Sequence, residues 1–141
     1  MMSSWALRPV IMQWTLRQRD FETSCGYRRE FSRLLSETLG CDSTSDCALE
    51  LVFGELVTNA VRYGDEPMSV WVDISGRTAR IVVENAGSCA TPEVHVASPS
   101  SEGGRGLSIV RSLVTRLQIE RTPEVACRIT AVMPLRTLTL T

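Results

Sequence analysis

Glycines at the start of a predicted helix give this sequence its clearest candidate for binding chemistry. The stretch EGGRGLSIV, from Glu102 to Val110, opens that helix, and the first helical turn offers unpaired N–H groups and the positive end of a dipole. Glycines at positions 104 and 106 would let the phosphates of a ligand approach the backbone closely. The sequence therefore indicates an anion-binding site here, and the alternative is a flexible hinge before a helix.

A second candidate lies in the stretch GELVTNAVRYG, from Gly54 to Gly64. Its apolar residues recur at helical spacing, so Glu55 and Asn59 fall one turn apart, on the flank of the apolar face. A helix that only packs would keep such polar groups on its far side, so the position of this pair needs an explanation. The alternative is a solvated rim on which Arg62 weakly attracts Glu55.

A third candidate is VVENAG, in which a predicted strand runs into Asn85 and Gly87. The side chain of Asn85 could form a hydrogen bond with the edge of a ligand. The alternative is a local turn in which Asn85 bonds to its own backbone, as asparagine often does.

The composition excludes several classes of protein. All fifteen basic residues of the 141 are arginines, whereas a P-loop and a classical protein kinase each need a lysine on the phosphates. A dinucleotide fingerprint does not fit Gly104-x-Gly106-x-x-Ile109, because the third glycine is absent and a long loop precedes the helix. The net charge of −1 provides no field for nucleic acid or an acidic membrane, so we expect neither as a partner.

The cysteines and the N-terminus bear on the compartment. The five cysteines are scattered, odd in number and without a C-x-x-C pair, which predicts free thiols in a reducing cytoplasm. The N-terminal stretch is too short and too interrupted for a signal peptide or a membrane anchor. We therefore expect a cytoplasmic location.

Hydrophobic periodicity predicts how the three candidates are positioned. The predicted strands cover 10–17, 69–74, 79–84, about 117–121 and 126–133, and the helical patterns cover about 24–39, 45–63 and 106–117. The segment 87–104 reads as a long loop, which in a compact domain tends to be functional or disordered. The order predicts a single α/β (α+β) domain, a two-layer sandwich with helices on one face of a mixed sheet.

The three candidates together, in this order, resemble the GHKL ATP-binding fold that gyrase, histidine kinases and heat-shock chaperones share. GELVTNAVRYG corresponds to the N-box of that family and EGGRGLSIV to its last glycine box. In particular, the chain is similar to the small stand-alone anti-sigma-factor serine kinases of bacterial partner-switching systems. The resemblance covers about residues 10–134 of a single domain, 1–141, and implies a mostly antiparallel sheet.

The resemblance implies a role for each matching residue. It makes Glu55 the general base and Asn59 the ligand of Mg²⁺ at the triphosphate. It also makes residues 88–103 the lid over ATP. The nucleotide-binding set that it implies is Asn59, Arg62, Asn85, Gly87, Gly104, Arg105, Gly106 and Leu107.

One motif departs from the family. Its D-x-G-x-G box reads Asn85-Ala86-Gly87-Ser88-Cys89 here, and the family aspartate accepts a hydrogen bond from the amino group of adenine. We expect the carbonyl oxygen of Asn85 to accept that bond without the charge. A charged hydrogen bond contributes ~1.5–3 kcal/mol and a neutral one ~0.5–1.5 kcal/mol, so the expected loss is about 1 kcal/mol in binding.

The expected function is that of an ATP-dependent serine/threonine protein kinase. The resemblance implies that it sequesters a sigma factor and phosphorylates an anti-anti-sigma partner of the STAS type. A homodimer through the first strand, as a sheet edge, also fits the family. The alternative is a GHKL-fold binding module that has lost nucleotide or catalysis and sequesters a sigma factor or another regulator.

Overall fold

Five strands form one sheet, with three helices on one of its faces, in the part of the chain that the structure describes. A computed structural model describes residues 10–17, 24–39, 47–87 and 102–135. In chain order the elements are β1 (Val10–Leu16), α1 (Ser24–Leu39), α2 (Cys47–Tyr63), β2 (Met68–Ser75), β3 (Thr78–Asn85), α3 (Glu102–Leu113), β4 (Arg116–Glu120) and β5 (Cys127–Pro134).

The strands lie in the order β1-β2-β3-β5-β4, and every pair is antiparallel. The prediction of a mostly antiparallel sheet with helices is confirmed, but the prediction of a mixed sheet is wrong, since no described pair is parallel. The predicted hairpin joins β2 to β3, with Ser75 paired to Thr78. Gly76 sits in its turn at a φ of 61°, a backbone conformation that favours glycine.

Alternate residues of the strands build the core beneath the helices. In β2, β3 and β5 every second side chain is buried, because successive side chains of a strand point to opposite faces. The helices complete this core with apolar residues at helical spacing. The buried helix residues are Phe31, Leu35, Leu49, Val52, Phe53, Leu56, Val57, Ala60, Val61, Leu107 and Val110.

Aromatic rings fix α1 against α2. Phe31 and Phe53 stack with ring centroids 4.3 Å apart, and Trp14 of β1 meets Phe53 edge-on at 5.1 Å. A Cβ at Gly54 would lie 2.9 Å from Cδ of the exposed Arg28, whose flexible side chain would then have to shift. The helix that carries two of the predicted site residues is thus held firmly in place.

The boundaries of the elements differ from prediction mainly at the third helix. The sequence pattern extends it to 117, whereas α3 ends at Leu113 and Leu117 pairs with Ala131 in the sheet. Leu117 continues the helical spacing of the apolar residues, which is why the pattern overshoots. The predicted stripe is also incomplete, since the side chain of Ile109 is exposed.

One expectation about the cysteines is wrong. Cys127 is disulfide-bonded and fully buried, and its partner is not among the described side chains. An odd count with scattered spacing could not show this, because pairing depends on which thiols the fold brings together. Within the described residues, no helix is long and apolar enough to cross a membrane.

The face of the sheet opposite the helices carries charged pairs. Arg80 lies 3.2 Å from Asp73, and Nε of Arg128 lies 2.6 Å from Oε2 of Glu84. The hydrogen bond with Glu84, and then its charge, raise the pKa of Arg128. These residues line a shallow cavity of about 430 Å³ that contains none of the predicted site residues. The candidate site therefore lies on the helix side.

Candidate nucleotide site

Helix α2 places Asn59 and Glu55 as the sequence predicts. Their neighbours Leu56, Val57 and Ala60 are buried in the core, so the two polar residues fall at the edge of the packed face. Asn59 is only 9% exposed, and Glu55, one turn earlier, is half-buried. Helix α2 also packs against both α1 and α3.

The buried amide of Asn59 has an unused acceptor. Its Oδ1 has no hydrogen-bond partner among the described residues. A buried polar atom without a partner costs about 1–3 kcal/mol of stability, so a structural role does not explain this oxygen. Mg²⁺ prefers oxygen ligands of this kind and is usually bound through few protein groups plus phosphates. The residue present therefore fits the predicted metal ligand.

The carboxylate of Glu55 is also uncommitted. It makes no hydrogen bond or ion pair within the described part of the chain. The alternative of a helix rim in which Arg62 pairs with Glu55 therefore gains no support. The guanidinium of Arg62 instead lies 5.9 Å from the ring centroid of its neighbour Tyr63.

At the end of β3 the side chain of Asn85 is buried and turned toward its own backbone. Its Oδ1 accepts hydrogen bonds from the N–H of Gly87 at 2.7 Å and from the N–H of Asp65 at 3.4 Å. The local-turn interpretation of Asn85 is thus confirmed. An amide oxygen has two lone pairs, and both are engaged. The described geometry therefore gives no support to the expectation that this oxygen accepts from the amino group of adenine, which stays a prediction.

The end of α2 and the end of β3 are clasped together. The N–H of Ala86 donates to the carbonyl of Asp65 at 2.9 Å. A Cβ on Gly64 would lie 2.8 Å from Cγ of Asn85, and a Cβ on Gly87 would lie 2.7 Å from Oδ2 of Asp65. Only glycine fits at either place without a shift. We call these five residues, Gly64, Asp65, Asn85, Ala86 and Gly87, the α2–β3 junction.

Asp65 is the residue of this junction that sequence reasoning missed. The available signal was an acid directly after the glycine that ends α2. Polar residues after a helix are common, so the pattern gave no reason to single it out. Only the fold shows that Asp65 lies beside Asn85 and Gly87.

Helix α3 begins at Glu102, four residues before the predicted start at 106, so Gly104 and Arg105 lie in its first turn, at the positive end of its dipole, and Gly106 begins the second turn. The side-chain surroundings of these three, and residues 88–101 of the predicted lid, lie outside the described residues. Leu107 follows them and is 2% exposed, packed in the core. Its side chain therefore holds the start of α3 against the core, and its predicted contact with nucleotide stays a prediction.

The chain is similar to known proteins in sequence and in structure. A family model described as a histidine kinase-like ATPase domain matches residues 18–132. A histidine kinase domain from the Erythrobacter litoralis EL346 blue-light activated histidine kinase is 17% identical, with a TM-score of 0.48, over 79% of this chain and 61% of that one. The Acinetobacter baumannii histidine kinase AdeS is 14% identical, with a TM-score of 0.46, over 95% and 72%. No curated protein matches the chain.

Proposed function

The chain belongs to the histidine kinase-like ATPase domain family, and on that premise we propose that it is a regulatory protein that binds ATP with Mg²⁺ and transfers the γ-phosphate. The observation that carries the proposal is the buried, unpartnered Oδ1 of Asn59, one turn from the uncommitted carboxylate of Glu55. An amide and an acid left without partners at a packed helix edge are explained by a ligand that uses them.

The proposed roles follow from the chemistry of the residues. Oδ1 of Asn59 would hold Mg²⁺, which when bound neutralises charge on the triphosphate. The unpaired N–H groups at the start of α3, which include that of Gly104, would bind phosphate oxygens, with Arg105 and Gly106 directly after them. Glu55 would take the proton from a serine hydroxyl as its oxygen bonds to the γ-phosphorus and the bond to the leaving ADP breaks.

We further propose that the phosphate acceptor is a serine on a STAS-type anti-anti-sigma protein and that the chain also binds a sigma factor. Support comes from the pairing of GELVTNAVRYG with EGGRGLSIV, which resembles the anti-sigma-factor serine kinases. A cytoplasmic location is part of the same proposal. A homodimer would use β1, which is an edge strand of the described sheet.

Transfer of radiolabelled γ-phosphate to a cognate STAS protein tests this function. Glu55→Gln keeps the shape of the side chain but cannot take a proton, so we expect transfer to fall by about 10²–10⁴-fold while ATP still binds. Glu37→Gln removes the same charge from an exposed ion pair on α1 and should leave transfer unchanged. Undiminished transfer by Glu55→Gln would rule out Glu55 as the base.

A second candidate function is a binding module without nucleotide. It is favoured by one observation: the oxygen of Asn85 is engaged within the α2–β3 junction, where it accepts from the N–H groups of Gly87 and Asp65. Under this function, calorimetry shows no binding of Mg²⁺–ATP to the wild type, and Asn85→Asp restores it by adding a second oxygen. Micromolar binding by the wild type would exclude this candidate.

A further inference from the structure

Asn85 presents a donor, not an acceptor, to anything that binds beside it. Two backbone N–H groups, of Gly87 and Asp65, converge on one atom of its amide, and only the oxygen can accept from them. The orientation of the amide is therefore fixed by its partners. Its Nδ2 faces the other way, and no hydrogen bond links it to any residue in the described ranges.

Asp65, next to Asn85, carries a carboxylate that can accept a hydrogen bond from a ligand, whereas the oxygen of Asn85 is already engaged. The backbone of Asp65 is held on both sides, since its N–H donates to Asn85 and its carbonyl accepts from Ala86. Its Oδ2 lies against Gly87, 2.7 Å from where a Cβ of that residue would be. The carboxylate is on an exposed residue and has neither a hydrogen bond nor an ion pair to the described residues.

The position of Asp65 is unfavourable for the fold. It follows the C-terminal end of α2, where the helix dipole disfavours a negative charge. Arg62 lies in the last turn of the same helix, but the described residues form no ion pair with the carboxylate of Asp65. A charged group that weakens the fold and lacks a structural partner is better explained by a contact with a ligand.

We propose that Asp65 and Asn85 together read the base of the bound nucleotide. The carboxylate of Asp65 accepts from the 6-amino group of adenine, and Nδ2 of Asn85 donates to the neighbouring ring nitrogen N1. The inference rests on the proposed function, because it concerns the same ATP. A 6-oxo purine presents an oxygen to the carboxylate and an N–H to the amide, so both contacts become repulsive.

Calorimetric titration with Mg²⁺–ATP and Mg²⁺–ITP tests the pair, because inosine differs from adenosine only at this edge of the base. We expect the wild type to bind ATP at least tenfold more tightly than ITP, and Asp65→Asn to lose about tenfold in ATP affinity and most of the preference. The melting temperature of Asp65→Asn should be unchanged or higher. Glu37→Gln is the control, since Glu37 forms an exposed ion pair on α1 and its change should leave both affinities unaltered.

The variant Asn85→Asp shows whether Asp65 recognises the base or only supports the fold. Asn85→Asp supplies a new acceptor while one oxygen keeps the bond to Gly87, so in that background Asp65→Asn should change ATP affinity less than about twofold. Equal loss of ATP and ITP binding by Asp65→Asn, with a lower melting temperature, would assign Asp65 a structural role and overturn the inference. Wild-type affinity in Asp65→Asn would overturn it too, yet leave the proposed function standing. Failure of the wild type to bind Mg²⁺–ATP would overturn both.

Discussion

At the scale of single residues, Asn59 is a side chain that lowers the stability of the fold and that a binding function would explain. Its side chain is buried beside the core residues Leu56 and Ala60, yet its Oδ1 bonds to nothing that the structure describes. An apolar side chain of similar size would avoid the desolvation of that oxygen. The amide therefore weakens the fold, and its presence is explained if it is a ligand for a metal ion.

Asn59→Leu is expected to raise the free energy of unfolding by about 1 kcal/mol without nucleotide, because it removes the unsatisfied oxygen. The same variant should lose Mg²⁺-dependent nucleotide binding. Denaturant unfolding with and without Mg²⁺–ATP measures both effects. Asn59→Asp is the opposite control, since it keeps an oxygen ligand but buries a charge. Without nucleotide it should be less stable than the wild type, and it should still be stabilised by Mg²⁺–ATP. A destabilised Asn59→Leu would mean that the amide has a structural partner after all.

Asn85 shows what could be predicted about a residue and what could not. Its place at a strand end and its local turn follow from the sequence, since asparagine commonly bonds to the backbone two residues on. Which of its atoms faces a ligand does not follow. That depends on a second N–H, from Asp65, which lies 20 residues away and meets Asn85 only in the fold. For the same reason Asp65 itself could not be recognised.

At the scale of elements, hydrophobic periodicity predicted the features that depend on neighbouring residues, namely the helix bounds and the hairpin. Helix α1 has the predicted bounds, α2 lies within two residues of them, and the hairpin is where a glycine turn separates two alternating segments. The strand order was beyond such reasoning, because β5 lies between β3 and β4 and pairing between distant strands leaves no local pattern. The meeting of α2 with the end of β3 is equally non-local.

The close contact between the end of α2 and the end of β3 depends on Gly64, because a side chain there would collide with both elements. We expect Gly64→Ala to lower the free energy of unfolding by about 1–3 kcal/mol, because its Cβ would lie 2.8 Å from both the carbonyl of Ala60 and Cγ of Asn85. Thermal or denaturant unfolding measures the change. Gly26→Ala is the matched control, because a Cβ there meets nothing within 4 Å, and alanine in α1 should stabilise by up to about 1 kcal/mol. Equal effects of the two substitutions would show that the junction is not tightly packed.

At the scale of the whole molecule, the sheet divides the surface by function. The helix side holds the unpartnered Asn59, the uncommitted Glu55 and the start of α3. The opposite face holds the ion pairs Asp73–Arg80 and Glu84–Arg128, although Oδ1 of Asp73 has no hydrogen bond among the described residues. Ligand binding should therefore register in the elements around α2. Because α2 packs against α1, α3 and β3, a ligand bound there stabilises the whole fold and not one loop.

Mg²⁺–ATP should accordingly raise the melting temperature of the wild type. A ligand at 100 times its Kd stabilises the folded state by about 2.7 kcal/mol, and each kcal/mol shifts the melting temperature of a chain near this size by roughly 2–4 °C. The expected rise is therefore roughly 5–10 °C, and scanning calorimetry measures it. Chelation of Mg²⁺ should remove most of the rise, since Asn59 would then meet the triphosphate without its ion, and Asn59→Leu should show little rise at any Mg²⁺ concentration. A wild type that does not respond to Mg²⁺–ATP at millimolar concentration would favour the binding module without nucleotide, because a site that takes no ligand cannot shift the unfolding equilibrium.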